Sequence, residues 1–204
     1  DVTMGFLFVQ GGLSPTASLF LLVMASGLLY LAGMVLNDLW DMEQDRHERP
    51  ERPLPSGRIS VPTARRLGWG LLAAGILAGW LAGYLPWSEA MLPWRSGVIA
   101  SLLASFVVLY DAWLKRTPCG PIAMGGCRAL NVLLGMSAAT RSPAAALVIG
   151  FDTAERIAAG GIGLYVTGVT WFARREAAVS SRWQLAGASF VMGAGIAWLA
   201  TVYR

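Results

Sequence analysis

Apolar residues dominate the chain in long runs, which short polar or charged segments separate. Several of these runs approach the ~20 residues that a helix needs to cross a lipid bilayer. The apolar runs cover residues 16–36, 67–85, 97–110, 157–172 and 185–202, with a shorter one at 144–149. The pattern predicts seven helices, at about 1–11, 16–46, 63–84, 94–113, 119–139, 144–173 and 183–203. In the sixth helix, polar residues at 152, 155 and 156 interrupt the apolar pattern.

Glycine spacing supports helices that pack closely within a membrane. Gly75, Gly79 and Gly83 recur four residues apart in the third predicted helix, so they lie on one face of it. Small residues at this spacing let the backbones of neighbouring transmembrane helices approach each other. The expected fold class is therefore all-α, a polytopic transmembrane helical bundle.

Composition and charge agree with this class. The chain is 55% hydrophobic and 14% charged, with a mean hydropathy of +0.55, whereas a soluble domain carries roughly 25% charged residues. The net charge of +4 does not indicate a nucleic-acid partner, because the basic residues concentrate in the inter-helix segments 46–66, 115–116 and 174–182. If successive spans alternate in direction, these segments share one side, which the positive-inside rule makes cytoplasmic. We therefore expect a multi-pass protein of a bacterial-type inner membrane, with membrane lipids and no nucleic acid as partners.

A dense group of charges follows the second predicted span directly. Asn37, Asp41 and Asp45 are spaced four residues apart, so on a helix they share one face. Asp38 widens that face. Like charges at this spacing repel one another, which makes sense if a divalent cation such as Mg²⁺ lies among the carboxylates, together with phosphate oxygens and water. The alternative is an acidic helix end that faces water.

The loop after this acidic face is basic and rich in proline. Arg49, Arg52 and Arg58 alternate with prolines there, so the loop is stiff as well as positively charged. Guanidinium groups next to acidic side chains would suit a diphosphate that a metal ion bridges to the protein.

Further polar residues lie in or near the later spans. The fourth predicted helix ends, on the same side as the acidic face, with Tyr110, Asp111, Lys115 and Arg116. Lys115 could neutralise charge on a leaving diphosphate, or anchor the helix at the lipid headgroups. Arg128 and Asn131 lie three residues apart within an apolar helix, where an arginine must find either a carboxylate partner or a bound phosphate.

These motifs together resemble the UbiA superfamily of intramembrane prenyltransferases. Residues 37–45 match its first aspartate-rich pattern, Asn-Asp-x-x-Asp-x-x-x-Asp, and residues 49–57 match its Arg-Pro-x-Arg-Pro-Leu-Pro-x-Gly loop. Residues 110–116 resemble the family's Tyr…Lys-Arg element, with the tyrosine five residues before the lysine instead of the more usual four. Residues 120–137 and 164–177 look more like the EboC-type subgroup than the ubiquinone or menaquinone enzymes.

The resemblance implies an all-helical bundle of about nine spans around a central cavity. It also implies transfer of a prenyl group from a Mg²⁺-bound prenyl diphosphate to an aromatic or other lipophilic acceptor. The residues implied in binding Mg²⁺ and diphosphate are Asn37, Asp41 and Asp45, with Asp38 in support. Those implied in contacting diphosphate oxygens are Arg52, Lys115 and Arg116. The expected catalytic residues are Asp41, Asp45 and Lys115.

One segment departs from the family pattern. The family has a second aspartate-rich motif near the end of its sixth span, whereas residues 167–182 offer only Glu176 among Arg174, Arg175 and Arg182. Such a site would bind a single Mg²⁺, or Arg174 and Arg175 would take over charge neutralisation. The alternative function is a non-catalytic UbiA-like bundle that binds a quinone, pigment or isoprenoid, or that serves as a subunit of a larger membrane complex. The intact first motif favours the enzyme, and the degenerate second motif favours the alternative.

The ends of the chain bear on its domain organisation. Residues 1–10 look like the second half of a helix, and the chain stops just after a predicted span. We expect residues 1–204 to form a single UbiA-like transmembrane domain that is incomplete at one or both ends.

Overall fold

The chain folds into an all-helical bundle, as the sequence predicts. This computed structural model describes residues 1–86, 88, 90–139, 150–174 and 181–203. Across these ranges it contains seven α-helices, two short 3₁₀ turns and no strand. The helices are α1 (Val2–Gln10), α2 (Thr16–Glu48), α3 (Val61–Tyr84), α4 (Trp94–Ala112), α5 (Gly120–Met136), α6 (Thr153–Ala173) and α7 (Arg182–Leu199). The 3₁₀ turns are Leu114–Arg116 and Ala200–Tyr203.

Four of these helical segments are long and apolar enough to cross a membrane: Thr16–Glu48, Val61–Tyr84, Trp94–Ala112 and Arg182–Val202. The first is unusually long. At 1.5 Å per residue its 33 residues extend about 50 Å, whereas the hydrocarbon core of a bilayer is about 30 Å thick. The polar C-terminal part of α2 therefore reaches beyond its apolar part, and this extension carries the acidic face.

The glycine face of α3 packs as predicted. A Cβ atom added at Gly75 would lie 2.8 Å from Leu29 Cγ of α2, and one added at Gly79 would overlap Ala100 of α4. At Gly83 an added Cβ would overlap the carbonyl of Pro93. The three glycines thus let α3 approach both of its neighbours in the bundle, and the prediction of a close-packing face is confirmed.

The sixth helix begins later than predicted. Asp152 accepts a 2.7 Å hydrogen bond from the backbone N–H of Glu155, and Glu155 accepts a 2.8 Å bond from the backbone N–H of Asp152. This reciprocal capping box starts α6 at Thr153, so the polar residues that interrupt the apolar pattern form the helix start. Residues 150–152 are not helical, and residues 144–149 lie outside the described ranges. Elsewhere the bounds differ by a few residues, with α2 ending at Glu48 and α5 at Met136.

A buried arginine of α4 contacts the end of α5 and the segment before α6, at the end of the bundle away from the acidic face. Arg95, at the start of α4, is 1% exposed. Its guanidinium donates to the carbonyls of Met136 at 3.2 Å, Ser137 at 3.0 Å and Gly150 at 2.6 Å, and it lies 4.7 Å from the centre of the Phe151 ring. The carbonyls at the end of a helix lack intrahelical partners, so this side chain caps α5 and ties it to the segment before α6.

Candidate functional site

The candidate site forms where the chain leaves α4 and crosses back over the extension of α2. Trp113 has a φ of −147° and ends α4, and the 3₁₀ turn then places Lys115 and Arg116 against the acidic face. Lys115 Nζ donates to Asn37 Oδ1 at 2.7 Å and to Asp41 Oδ2 at 2.7 Å. Arg116 Nη2 donates to Asp41 Oδ1 at 3.0 Å. The Lys115 side chain is only 13% exposed, because its ammonium group contacts Asn37 and Asp41.

The other end of the acidic face is paired with the proline-rich loop. Arg52 Nη1 donates to Asp45 Oδ2 at 2.7 Å and lies 3.5 Å from Asp38 Oδ1. The Asp45 side chain is 8% exposed, so water has little access to the carboxylate of this pair. The hydrogen bond to Asp45 raises the pKa of the Arg52 guanidinium above its ordinary value, which keeps this group charged.

Local contacts hold the loop in place. Gly57 has a φ of +75°, a left-handed conformation that glycine adopts at little cost. Arg58 donates to the carbonyl of Glu51 and, at 3.1 Å, to the hydroxyl of Ser56. Arg58 therefore stabilises the loop. The Arg49 side chain is exposed and makes no hydrogen bond or ion pair with any described residue.

The oxygen atoms of the acidic face fit the chemistry of a hard divalent cation. Carboxylate and amide oxygens are the protein ligands that Mg²⁺ prefers, and such a site usually needs only one or two carboxylates because substrate oxygens and water complete it. Among the described residues there is no group of three or more His, Cys, Asp or Glu side chains that could hold a metal ion. A cation bound to Asn37, Asp41 and Asp45 would complete its coordination with water and substrate oxygens.

An apolar cavity of about 430 Å³ opens beside Asn37 and Asp38 of the acidic face, between α2, α4 and α5. Its walls include Leu29, Met34, Leu103, Val107 and Met124. Its polar lining consists of Ser26, Tyr30, Asn37, Asp38, Tyr110, Asp111, Cys127, Arg128 and Asn131. Asn37 belongs both to the cavity wall and to the cluster around Lys115, so the cavity and the charged site adjoin.

A second cavity of about 360 Å³ lies next to Lys115. Tyr110, Lys115 and Arg174 line it, together with residues of α5 and α6. Arg174 donates to the carbonyl of Thr117 at 2.5 Å, which holds the end of α6 next to the 3₁₀ turn. The structure thus brings Arg174 close to the cation cluster, a name used here for Lys115 and Arg116. Arg175 and Glu176 of the predicted second motif lie outside the described residues.

Of the two partners that the sequence predicts for Arg128, a carboxylate or a bound phosphate, the structure contains a carboxylate. Arg128 Nη1 donates to Asp1 Oδ2 at 3.0 Å, while the same side chain lines the larger cavity. Sequence reasoning assigned no role in the site to Asp111, which is 5% exposed and also lines that cavity. The available signal was an ionisable residue inside an apolar helix, a pattern that marks functional sites in membranes.

Comparisons with known proteins agree with the fold and identify the family. The model of the UbiA prenyltransferase family matches residues 2–172. A digeranylgeranylglyceryl phosphate synthase of Metallosphaera sedula is 33% identical over 60% of this chain and 40% of its own length. A protoheme IX farnesyltransferase of Acidiphilium cryptum is 32% identical over 67% of this chain and 41% of its own length. The chain thus spans about two fifths of the length of these relatives.

A solved structure from work on digeranylgeranylglyceryl phosphate synthase in membranes has the same fold. It superposes with a TM-score of 0.72 at 21% identity, covering 99% of this chain and 70% of that one. The expected transmembrane helical bundle is therefore confirmed. The likeness to the EboC-type subgroup, the single-domain organisation and membership in a larger complex stay predictions.

Proposed function

Because this chain belongs to the UbiA prenyltransferase family, we propose that it transfers a prenyl group from a Mg²⁺-bound prenyl diphosphate to a lipophilic acceptor. One observation carries the proposal. Lys115 contacts Asn37 and Asp41, and Asn37 also lines an apolar cavity. Positively charged, negatively charged and apolar surfaces therefore lie next to one another. A molecule with a diphosphate head and a hydrocarbon tail needs this combination.

The charged residues would divide the work on the diphosphate. Asn37, Asp41 and Asp45 would hold Mg²⁺, which when bound neutralises phosphate charge. Lys115 and Arg116 would contact the diphosphate oxygens and stabilise the negative charge that develops as the leaving group departs. The exposed Arg49 and the cavity-lining Tyr110 and Arg174 are proposed as further contacts to the substrate. The supporting residues proposed for substrate binding are Asp38, Arg52, Arg128 and Asn131.

The reaction would proceed by ionisation of the allylic C–O bond. The bond electrons leave with the diphosphate, the acceptor's nucleophilic atom forms the new bond to the allylic carbon, and the acceptor loses a proton. The apolar walls around Leu29, Leu103 and Val107 would exclude water, which would otherwise capture the allylic cation.

A second candidate function is binding of an isoprenoid or quinone without turnover. It is favoured by the complete pairing of the acidic face, since Asp41 contacts Lys115 and Arg116 and Asp45 contacts Arg52. Each carboxylate is neutralised by the protein itself, so the site is electrostatically balanced without a metal ion.

Release of diphosphate from a panel of prenyl diphosphates distinguishes the two functions. In lipid nanodiscs with Mg²⁺, we expect the chain to release diphosphate and the substitutions Asp41→Asn, Asp45→Asn and Lys115→Met each to slow release at least roughly ten-fold. The matched control is Glu43→Gln, because Glu43 lies on the same helix with its side chain 74% exposed and pairs only with Arg46 among the described residues.

Two results would reject the enzyme. No release from any prenyl diphosphate, or release that these three substitutions leave at the level of Glu43→Gln, contradicts prenyl transfer. Saturable binding of a prenyl diphosphate without release would support the second candidate.

A further inference from the structure

Two consecutive residues of the 3₁₀ turn after α4 contact one carboxylate. Lys115 Nζ lies 2.7 Å from Asp41 Oδ2, and Arg116 Nη2 lies 3.0 Å from Asp41 Oδ1. On a regular α-helix, neighbouring side chains point about 100° apart and do not face a common partner. The approach of both cations to Asp41 therefore depends on the course of the backbone through this turn.

The turn is short and is separated from the helix before it. Trp113, with φ −147° and ψ −52°, ends α4, and the 3₁₀ turn then covers only Leu114–Arg116. The backbone N–H of Thr117 donates to the carbonyl of Leu114 at 2.9 Å. Hydrogen bonds in 3₁₀ turns have poorer geometry than those of an α-helix, and isolated helical turns are marginally stable. Such a turn needs contacts from outside to keep one conformation.

The hydroxyl group of Thr117 fastens the turn to the next helix. It donates to the carbonyl of Leu114 at 2.8 Å and accepts from the backbone N–H of Cys119 at 3.2 Å. Leu114 is the first residue of the turn, and Cys119 is the residue before α5. One hydroxyl group thus joins both ends of the connection between α4 and α5.

Two neighbouring helices press on the same connection. Arg174, at the end of α6, donates to the carbonyl of Thr117 at 2.5 Å. A Cβ atom added at Gly120 would lie 3.1 Å from the carbonyl oxygen of Leu114 and 3.3 Å from Lys115 Cα, so the start of α5 lies directly against the turn. Thr117 therefore lies between α5 and α6, and its contacts fix the backbone that carries the cation cluster.

We propose that Thr117 is a positioning residue, whose hydroxyl group holds the turn in the conformation in which Lys115 and Arg116 meet at Asp41. The inference rests on the proposed prenyl transfer, because Thr117 acts through the two cations proposed to contact the diphosphate. Donors that are already in place stabilise a leaving group more effectively than donors that must first be ordered. Loss of the hydroxyl group should therefore weaken the cation cluster although both of its side chains are still present.

The position of Lys115 can be measured without any reaction, because it is the only lysine among the 204 residues. An amine-specific acylating reagent, applied to the chain in lipid nanodiscs, would label this side chain, and peptide mass spectrometry separates it from the N-terminal amine. In the wild type, labelling should be slow, since the ammonium group donates to Asn37 and Asp41 and the side chain is 13% exposed.

Removal of the Thr117 hydroxyl group should make Lys115 more reactive. Thr117→Val has nearly the same shape but lacks the hydroxyl group, so the turn should open more often. We expect labelling to accelerate roughly five-fold, the change in population that loss of one net hydrogen bond supports. Thr117→Ala removes the same group without adding bulk and should give the same acceleration. Thr117→Ser keeps a hydroxyl group and should label at the wild-type rate.

Thr201 provides the matched control. Its hydroxyl group donates to the carbonyl of Trp198 at 2.6 Å, again three residues back, and it belongs to the 3₁₀ turn after α7. Thr201→Val therefore removes a hydrogen bond of the same kind at a place without contact to the cation cluster among the described residues. It should leave the labelling of Lys115 unchanged.

Diphosphate release connects the position of the turn to the proposed reaction. Thr117→Val and Thr117→Ala should slow release from a prenyl diphosphate roughly five-fold, in proportion to the labelling change. Thr117→Ser and Thr201→Val should release diphosphate at nearly the wild-type rate.

The outcomes separate this inference from the proposed function. A wild-type labelling rate in Thr117→Val and Thr117→Ala overturns the inference, and so does equal acceleration in Thr117→Ser or Thr201→Val. Accelerated labelling with undiminished diphosphate release also overturns it, because the turn would then not position the cations for the reaction. Acceleration that depends on the hydroxyl group, in a chain that releases no diphosphate, rejects prenyl transfer but supports Thr117 as the residue that positions Lys115.

Discussion

At the scale of single residues, the charges of the candidate site are paired between α2 and the segments that pack on it, the proline-rich loop and the 3₁₀ turn after α4. Lys115 contacts Asn37 and Asp41, and Arg52 contacts Asp45. Removing one member of a shielded pair leaves the other uncompensated, which costs more than an exposed pair contributes. Substitutions in the cluster therefore affect both the folded state and the site, and stability has to be measured alongside activity.

Arg95 offers a residue whose role is structural alone. Replacing it with methionine would leave the carbonyls of Met136, Ser137 and Gly150 without their donor, so we expect a loss of about 3 kcal/mol in the free energy of unfolding. Urea unfolding in detergent, followed by tryptophan fluorescence, measures this change. Arg66→Gln is the control, because Arg66 is exposed and should change stability by less than about 0.5 kcal/mol. Equal stability of Arg95→Met and the wild type would contradict the capping role.

At the scale of elements, two features of the helices place the site. The extension of α2 beyond its apolar part carries the acidic face, and the glycine face of α3 brings α3 close to both α2 and α4. The hydrophobic effect contributes little to helix association among lipid tails. The distance between backbones in such a bundle therefore depends on small residues that allow close packing. The walls of the cavity are therefore sensitive to changes on these faces.

Two glycines of α3 provide a matched comparison. A Cβ atom at Gly79 would overlap Ala100, whereas one at Gly70 would meet nothing within 4 Å. We expect Gly79→Ala to destabilise the fold by about 1–3 kcal/mol through overpacking. Gly70→Ala should stabilise it by about 0.5–1 kcal/mol, because alanine favours the helix. Thermal unfolding of the two variants in the same detergent measures both, and changes of the same sign would argue against close α3–α4 packing.

At the scale of the whole molecule, the bundle separates a charged end from an apolar interior. The cation cluster, the proline-rich loop and the 3₁₀ turn after α4 all lie at one end, while Arg95 lies at the start of α4, at the other end. This separation suits the proposed substrate, which has a polar head and an apolar tail. The positive-inside rule predicts a cytoplasmic orientation for the charged end.

The orientation can be measured with a native cysteine. Cys119 is exposed and follows the 3₁₀ turn that carries Lys115, so it reports the side on which the charged end lies. A membrane-impermeant maleimide should label Cys119 in inside-out vesicles and not in right-side-out ones. Cys119→Ser should remove this labelling, because the other cysteine, Cys127, is partly buried. Labelling from the outer side would reverse the predicted topology.

The sequence by itself determined the helices and the acidic face. The period of apolar residues and the four-residue spacing of Asn37, Asp41 and Asp45 are local properties, which a helix converts directly into faces. The start of α6 was available in the same way, since the capping box of Asp152 and Glu155 is a local pattern, but the apolar run before it obscured the boundary.

Only the tertiary structure decided which charges meet. Lys115 and Asp41 are 74 residues apart in the chain, and their contact depends on how α4 packs against α2. The burial of Arg95 and the lack of a partner for Asp111 among the described residues likewise depend on the surroundings, because a residue's partners come from other helices. Spacing along a chain predicts what lies on one helix, whereas distances between helices depend on the packing of all of them.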